Sequence, residues 1–313
     1  MDKLDMLRKV IFTAVLIFVL LMLLTWSNIL KCGVIPGWCD TYWGVVGDPK
    51  VLIAHGNDGL GNPEKLEDIF MNRDILGKRT TLRNIDYLTS GVLSKYELVI
   101  VTRAKTMSVE KLEMFLDYAN KGGKLVWTGD AGTTKFEGEK NLSDYNLEEY
   151  DTNIDTAGWM RINKDGKVIN FNEKMSADYI GNYCDMAPCS GENSFVGHLN
   201  HYDDSIISKE LKQKSELSSN FAIVSLINNT STKIDLILDT RSNLIVDDIN
   251  HTNHGKEFPI IITSGLGDKI IYSAVPLEYF VDLEYDESKT DNGMFYATII
   301  ENIYENMIRG KNS

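Results

Sequence analysis

The chain has 313 residues, 43% of them hydrophobic, and a formal net charge of −13. That acidity excludes a nucleic-acid partner, which selects basic surfaces, and argues against broad contact with anionic lipid. With a membrane segment set aside, roughly 270 residues remain, enough for one large domain or two small ones.

Residues 10–26 carry no charge. As a helix they span roughly 26 Å, close to the hydrocarbon thickness of a bilayer. Lys3, Arg8 and Lys9 precede the run, whereas Lys31 alone follows it before Asp40 and Asp48. The positive-inside rule therefore keeps residues 1–9 cytoplasmic and places the C-terminal bulk outside. The stretch Thr25-Trp26-Ser27-Asn28-Ile29-Leu30-Lys31 holds no small-residue cleavage pattern. A retained transmembrane signal anchor over residues 10–30 is expected, with a cleaved signal peptide as the rival. The lipid bilayer is then a partner through residues 10–30, and the protein is expected in the cell membrane, single-pass, with its C-terminal domain extracytoplasmic. Trp26, Trp38, Tyr42 and Trp43 either sit at headgroup level or pack on the first strand of the domain.

Residues 31–49 read as a turn-rich neck. The four cysteines form two close pairs, Cys32 with Cys39 and Cys184 with Cys189. In an exported domain they suggest two local disulfides. Free thiols and zinc are the alternatives, although six residues between Cys32 and Cys39 exceed the usual zinc-pair spacing. Asn141, Asn228, Asn229 and Asn250 stand in glycosylation tripeptides, which matter only in an exported domain.

From residue 50 the pattern is that of an α/β domain extending to 313. Lys50-Val-Leu-Ile-Ala54 is a short apolar run, as strands buried on both faces are. A helix is expected from Pro63, with Leu66, Ile69 and Phe70 on one face. A weaker strand follows over 78–84 and a strong one over 96–102. Ser108 caps a helix with Leu112, Phe115, Leu116 and Ala119 on one face, ended by Gly122-Gly123. Residues 124–128 form the next strand. This alternation predicts a right-handed, mostly parallel, flavodoxin-like sheet. Residues 135–255 break the pattern and read as an irregular β-rich insertion. Residues 259–263 and 269–274 read as an antiparallel hairpin at the sheet edge. A closing helix runs from about Asn292, with Phe295, Ile299, Ile303 and Met307 on one face and Gly310 as its stop.

The run from Tyr96 to Val101, with Ser108-Val-Glu-Lys-Leu-Glu-Met-Phe-Leu-Asp-Tyr-Ala-Asn-Lys-Gly-Gly-Lys-Leu-Val-Trp-Thr-Gly-Asp130, resembles the class I glutamine amidotransferase-like fold. More narrowly, it is similar to the non-catalytic ThuA-like and membrane-associated branches of that group. The segment Pro259–Phe280 is similar to the group's closing hairpin. The resemblance covers about residues 50–132 and 258–309 and implies fold more than function. Amidotransferases of this group carry a nucleophilic Cys at the tight turn after such a strand. Here Asp130 stands at that place in Thr128-Gly129-Asp130-Ala131-Gly132, and no His follows His254 to serve as base. The resemblance therefore implies a domain without thiol-based glutaminase chemistry.

Asp130 is either a carboxylate nucleophile at an elbow or a turn residue bonding its own backbone. Asn57, Asp58 and Gly59 follow the first strand at the carboxyl edge, where open α/β sheets bind ligands. With His55 and Asp130 they make a candidate catalytic or ligand-binding edge. His198 and His201, and His251 and His254, share one spacing and have carboxylates nearby. They are candidate metal ligands, with solvated histidines as the plainer reading. No dinucleotide fingerprint occurs, and no cofactor is expected. The function read from the sequence is a membrane-anchored extracytoplasmic binding or assembly module, more a non-enzyme than an enzyme, with a cell-surface protein or glycan as partner. The alternative is a hydrolase or lyase acting on a cell-surface polymer through a carboxylate/His pocket.

Overall fold

The computed structural model describes residues 3–26, 30, 35, 37–47, 49–137, 139, 158–187, 196–201, 205–208, 215–227, 232–245, 253–265, 268–281 and 290–309. Helix α1 (Lys3–Trp26) contains the apolar stretch Met6–Trp26, of mean hydropathy 2.5. It is the one helix among the described residues long and apolar enough to cross a membrane. Its side chains Val10, Phe12 and Leu20 are more than half exposed, so no protein surface accounts for their apolarity.

Where the sequence suggested only turns, Trp38–Val46 forms a helix, α2. Gly37 enters it in the left-handed conformation, at φ 74°. Trp38 and Tyr42, one turn apart, then share a face that packs on Leu21 and Met22 of α1. The Trp38 indole N–H donates to Thr25 Oγ1 at 2.8 Å, and its ring meets Phe18 edge-on at 5.5 Å. Trp38 is thus held by α1 rather than by the first strand. Trp43 alone of the group touches both α1–α2 and the main core.

The main sheet begins with β1 (Val51–Asp58), α3 (Pro63–Met71), β2 (Thr80–Asn84), α4 (Ser90–Leu93), β3 (Leu98–Ala104), α5 (Val109–Asn120) and β4 (Lys124–Thr128). Local chemistry explains the helix starts. Asn62 Oδ1 accepts the Lys65 N–H at 3.0 Å with Pro63 at the first helical position, and Ser108 Oγ accepts the Lys111 N–H at 3.3 Å. Next come β5 (Met160–Ile162), β6 (Val168–Asn170), α6 (Phe171–Met175), β7 (Ala177–Asn182), α7 (Tyr183–Met186), β8 (Gly197–His201), β9 (Ser215–Leu217) and β10 (Ala222–Leu226). The chain closes with β11 (Lys233–Ile245), β12 (Asn253–Ser264), β13 (Ile270–Ser273) and α8 (Thr290–Arg309).

Nine strands form one sheet in the order β2-β1-β3-β4-β13-β12-β11-β8-β9. The first five are parallel and the rest antiparallel. The expected hairpin is present as β12–β13, but it lies inside the sheet. β13 pairs parallel with β4, and β12 pairs onward with β11. The reason is visible in burial: Ile260, Ile261, Ile262, Ile271 and Tyr272 are fully buried, so neither strand could face solvent as an edge. Much of the supposed insertion therefore extends the sheet, while β5–β6 and β7–β10 form two separate small ribbons.

Helices cover both faces. Phe70 of α3 meets Tyr304 of α8 at 6.1 Å on one side. On the other, Trp127 of β4 lies between Phe115 of α5 and Phe171 of α6, at 5.4 and 4.5 Å. Ile299, Ile303 and Met307 form the buried face of α8; the side chain of Phe295 and all of Gly310 lie outside the described residues.

Candidate functional site

In a 2-1-3-4-5 parallel arrangement the strand order reverses at β1, and the carboxyl ends of β1 and β3 border the natural ligand crevice. Here that crevice is stitched with backbone hydrogen bonds. The Arg103 N–H donates to Leu60 O at 2.9 Å and the Lys105 N–H to Asp58 O at 3.0 Å. The Asp58 carboxylate accepts from the Thr106 N–H at 3.0 Å and from its hydroxyl at 2.5 Å. The loop after β4 joins the same seam, with the Gly132 N–H on Ala104 O at 2.8 Å and the Thr134 N–H on Lys105 O at 2.9 Å.

Asp130 occupies the bend after β4, between Gly129 at φ 57° and Gly132 at φ 68°. It is 1% exposed. Oδ1 accepts the Leu60 N–H at 2.7 Å, and Oδ2 accepts from Asn182 Nδ2 at 3.0 Å. Asn182 is itself oriented by the Tyr179 hydroxyl, which donates to its Oδ1 at 3.1 Å. Lys105 Nζ stands 3.8 Å from Oδ2 and supplies the countercharge. The carboxylate thus bonds across the fold rather than to the amides of its own turn. A nucleophilic carboxylate needs an exposed oxygen and a path for substrate; both oxygens of Asp130 are held by N–H donors.

The other sequence candidates lie around this bend without sharing its contacts. His55 turns its Nδ1 to Gly56 O at 3.0 Å. Asn57 Oδ1 accepts from Asn84 Nδ2 at 3.1 Å, tying β1 to β2. Gly59, at φ 96°, passes so close that a Cβ there would sit 2.7 Å from both Asp130 Oδ1 and Lys105 Cβ. Asp58 faces Thr106, and Asp130 faces Leu60 and Asn182.

Of the histidines, His198 sits in β8 opposite Asp239, and His254 lies at the second position of β12. β11 separates the two strands. His251 lies outside the described residues, as does the side chain of His201. No group of three His, Cys, Asp or Glu placed to hold a metal ion occurs among the described residues. Cys32, Cys189, Asn141, Asn228, Asn229, Asn250 and the side chain of Cys39 are likewise outside them. No free cysteine occurs among the described residues, and the Cys184 N–H is held by Asn220 Oδ1 at 3.0 Å.

Three polar residues that the sequence did not single out organise this end of the sheet. Arg161, 3% exposed, donates to Met107 O, to Gly132 O at 2.5 Å, to Thr134 O at 3.0 Å and to Gly158 O at 3.0 Å. Glu139 stands 3.4 Å away as its ion partner, and burial lowers the guanidinium's affinity for its proton. Asn182 is the second. The third is Glu278, fully buried, whose Oε1 accepts the Asn62 N–H at the start of α3 while Oε2 has no partner among the described residues. Burial pushes this carboxyl up to about 7. A signal for Glu278 exists in Ala274-Val-Pro-Leu-Glu-Tyr-Phe280, a lone acid in an apolar run. Arg161 and Asn182 stand in mixed polar sequence and give none.

No protein-family model and no curated protein sequence matches the chain. Among solved structures it is similar to a ThuA-like protein from Bacteroides uniformis, at 14% identity, TM-score 0.48, over 83% of this chain and 92% of the other. A ThuA-like protein from Parabacteroides merdae is similar at 16% identity, TM-score 0.42, over 85% and 91%. A β-galactosidase from Rahnella is similar at 13% identity, TM-score 0.47, over 86% of this chain. The chain spans only 33% of that enzyme's length.

Proposed function

We propose that the chain is a single-pass membrane protein presenting an extracytoplasmic binding or assembly module. Its amidotransferase-like domain serves as a scaffold, and a cell-surface protein or glycan is its partner. Disulfides Cys32–Cys39 and Cys184–Cys189 belong to this reading, because an exported domain meets an oxidising compartment. The apolar helix α1 and the basic residues preceding the apolar run support the anchor and its orientation.

The observation that carries the reading is the use of Asp130. At the bend where a nucleophile would stand, both carboxylate oxygens hold other parts of the fold together, on Leu60 and Asn182. Two experiments test it. Protease shaving of intact cells is expected to remove the large C-terminal fragment; its full protection would overturn the orientation. The full-length chain in detergent is expected to turn over ester, amide and glycoside substrates no faster than the Asp130→Asn variant. Turnover that depends on Asp130 would put the hydrolase reading in its place.

A further inference from the structure

A cavity of about 830 Å³ opens at the amino ends of β3, β4 and β13, at the end of the sheet opposite the Asp130 bend. Part of its wall is not domain at all. Thr25 and Trp26 close α1, and Tyr42 and Trp43 come from α2. On the reading that α1 crosses a membrane, the end of that helix marks the depth at which hydrocarbon gives way to headgroups. The cavity then lies at headgroup level, while the Asp130 edge faces away from the bilayer.

The charges of the wall are balanced. Lys121, Lys124 and Lys269 line it together with Glu97, Asp117 and Asp268. Lys124 Nζ is engaged by Ile308 O at 3.5 Å, and Asp268 pairs with Lys233 at 3.0 Å. Lys121 and Lys269 make no ion pair among the described residues. The Lys269 ammonium lies 3.3 Å from where a Cβ on Gly122 would sit, beside Lys121 in the chain. Trp43 also lines the cavity, and its indole N–H is buried with no acceptor among the described residues. Tyr42 feels the charge of Glu97, which adds to burial in raising its hydroxyl pKa.

We propose that this cavity binds the headgroup of a phospholipid carrying both a phosphate and a primary ammonium group. The phosphate suits Lys121, Lys269 and the unpaired Trp43 N–H. The ammonium suits Glu97, Asp117 and the face of Tyr42. A purely anionic headgroup would meet three carboxylates in the wall and the field of a chain carrying −13. The zwitterion satisfies both signs at once.

The test uses the full-length chain reconstituted in nanodiscs with equal amounts of phosphatidylethanolamine and phosphatidylglycerol. Native mass spectrometry after release into mild detergent reads the lipid that stays bound. Phosphatidylethanolamine is expected to be retained about fivefold over phosphatidylglycerol. The Glu97→Gln/Asp117→Asn double variant is expected to lose that preference, and the Lys121→Ala/Lys269→Ala double variant to retain less of both lipids. Equal retention of the two lipids, a preference for phosphatidylglycerol, or an unchanged preference in the Glu97→Gln/Asp117→Asn variant would overturn the proposal. Carbonate extraction separates the two readings: a chain that stays in the membrane without lipid preference refutes only the headgroup site, whereas a chain that is stripped refutes the anchor as well.

Discussion

The carboxylate of Asp130 accepts the backbone N–H of Leu60 at 2.7 Å, joining the bend after β4 to the loop after β1 across 70 residues of chain. Its second oxygen reaches Asn182 at the end of β7. One buried side chain therefore fixes three segments that share no other sequence signal. Asp130→Ala leaves the Leu60 N–H and the Asn182 amide buried without acceptors, and Lys105 without its countercharge. A loss of about 3 kcal/mol is expected, read as a lower urea midpoint. Asp130→Asn keeps an acceptor for Leu60 but sets an amide NH2 against that of Asn182, so its loss is expected to be smaller, about 1–2 kcal/mol. Equal stability of wild type and the alanine variant would show that Asp130 is not a strut.

Arg161 does the same work for the other side of the bend. Its guanidinium gathers the carbonyls of Met107, Gly132, Thr134 and Gly158, which no shorter or non-planar cation can reach together. Arg161→Lys retains the charge and loses the fork. It is expected to cost about 2–3 kcal/mol, and Arg161→Ala about 3–5 kcal/mol. Thermal unfolding of the full-length chain in detergent checks both values, and the order of the two variants is the decisive part.

The difference between what could and could not be read from the sequence follows from these residues. β1, β3 and β4 each contain a continuous apolar run, and Asn62-Pro63 and Ser108 announce the helices after β1 and β3, because local chemistry decides those elements. β12 and β13 were legible as strands but not in position, since Ile270–Ser273 pairs with β4 residues 145 positions earlier and only tertiary contact reveals that. α2 was obscured by Pro36-Gly37, although Trp38 and Tyr42 carried its helical spacing. Asp130 stood out through its glycine-flanked turn, whereas its partners Asn182 and Lys105 did not. A hydrogen bond between distant polar residues leaves no periodicity.

Gly61 is a backbone requirement of the same seam. Its φ is +128°, and a Cβ there would overlap Thr102 Oγ1 and lie 3.1 Å from both Arg103 N and Glu278 Oε1. Backbone and side-chain strain then act together, so Gly61→Ala is expected to cost about 3 kcal/mol or more. Adding Thr102→Ala removes the worst overlap and leaves the φ strain. The double variant is expected to recover part of the loss, which chemical denaturation of the two proteins measures. Full recovery would mean that the strain lies in the side chains alone.

Glu278 makes stability depend on pH in a direction opposite to that of an ordinary paired carboxylate. Burial raises its pKa from 4.5 to about 7, outweighing the Asn62 N–H, which favours the ionised form. Between those two values the folded chain holds a proton that the unfolded chain has released. The contribution is therefore fully present below pH about 4.5 and is lost as pH rises through about 7, a change of about 3 kcal/mol in all. Glu278→Gln keeps an acceptor for the Asn62 N–H and cannot ionise. Wild type and variant are expected to differ little in urea midpoint at pH 5, with the variant ahead at pH 8. Taking the difference between the two proteins cancels the titration of every other group. A gap that stays constant from pH 5 to pH 8 would mean that Glu278 is ionised in the folded protein throughout and that burial does not raise its pKa.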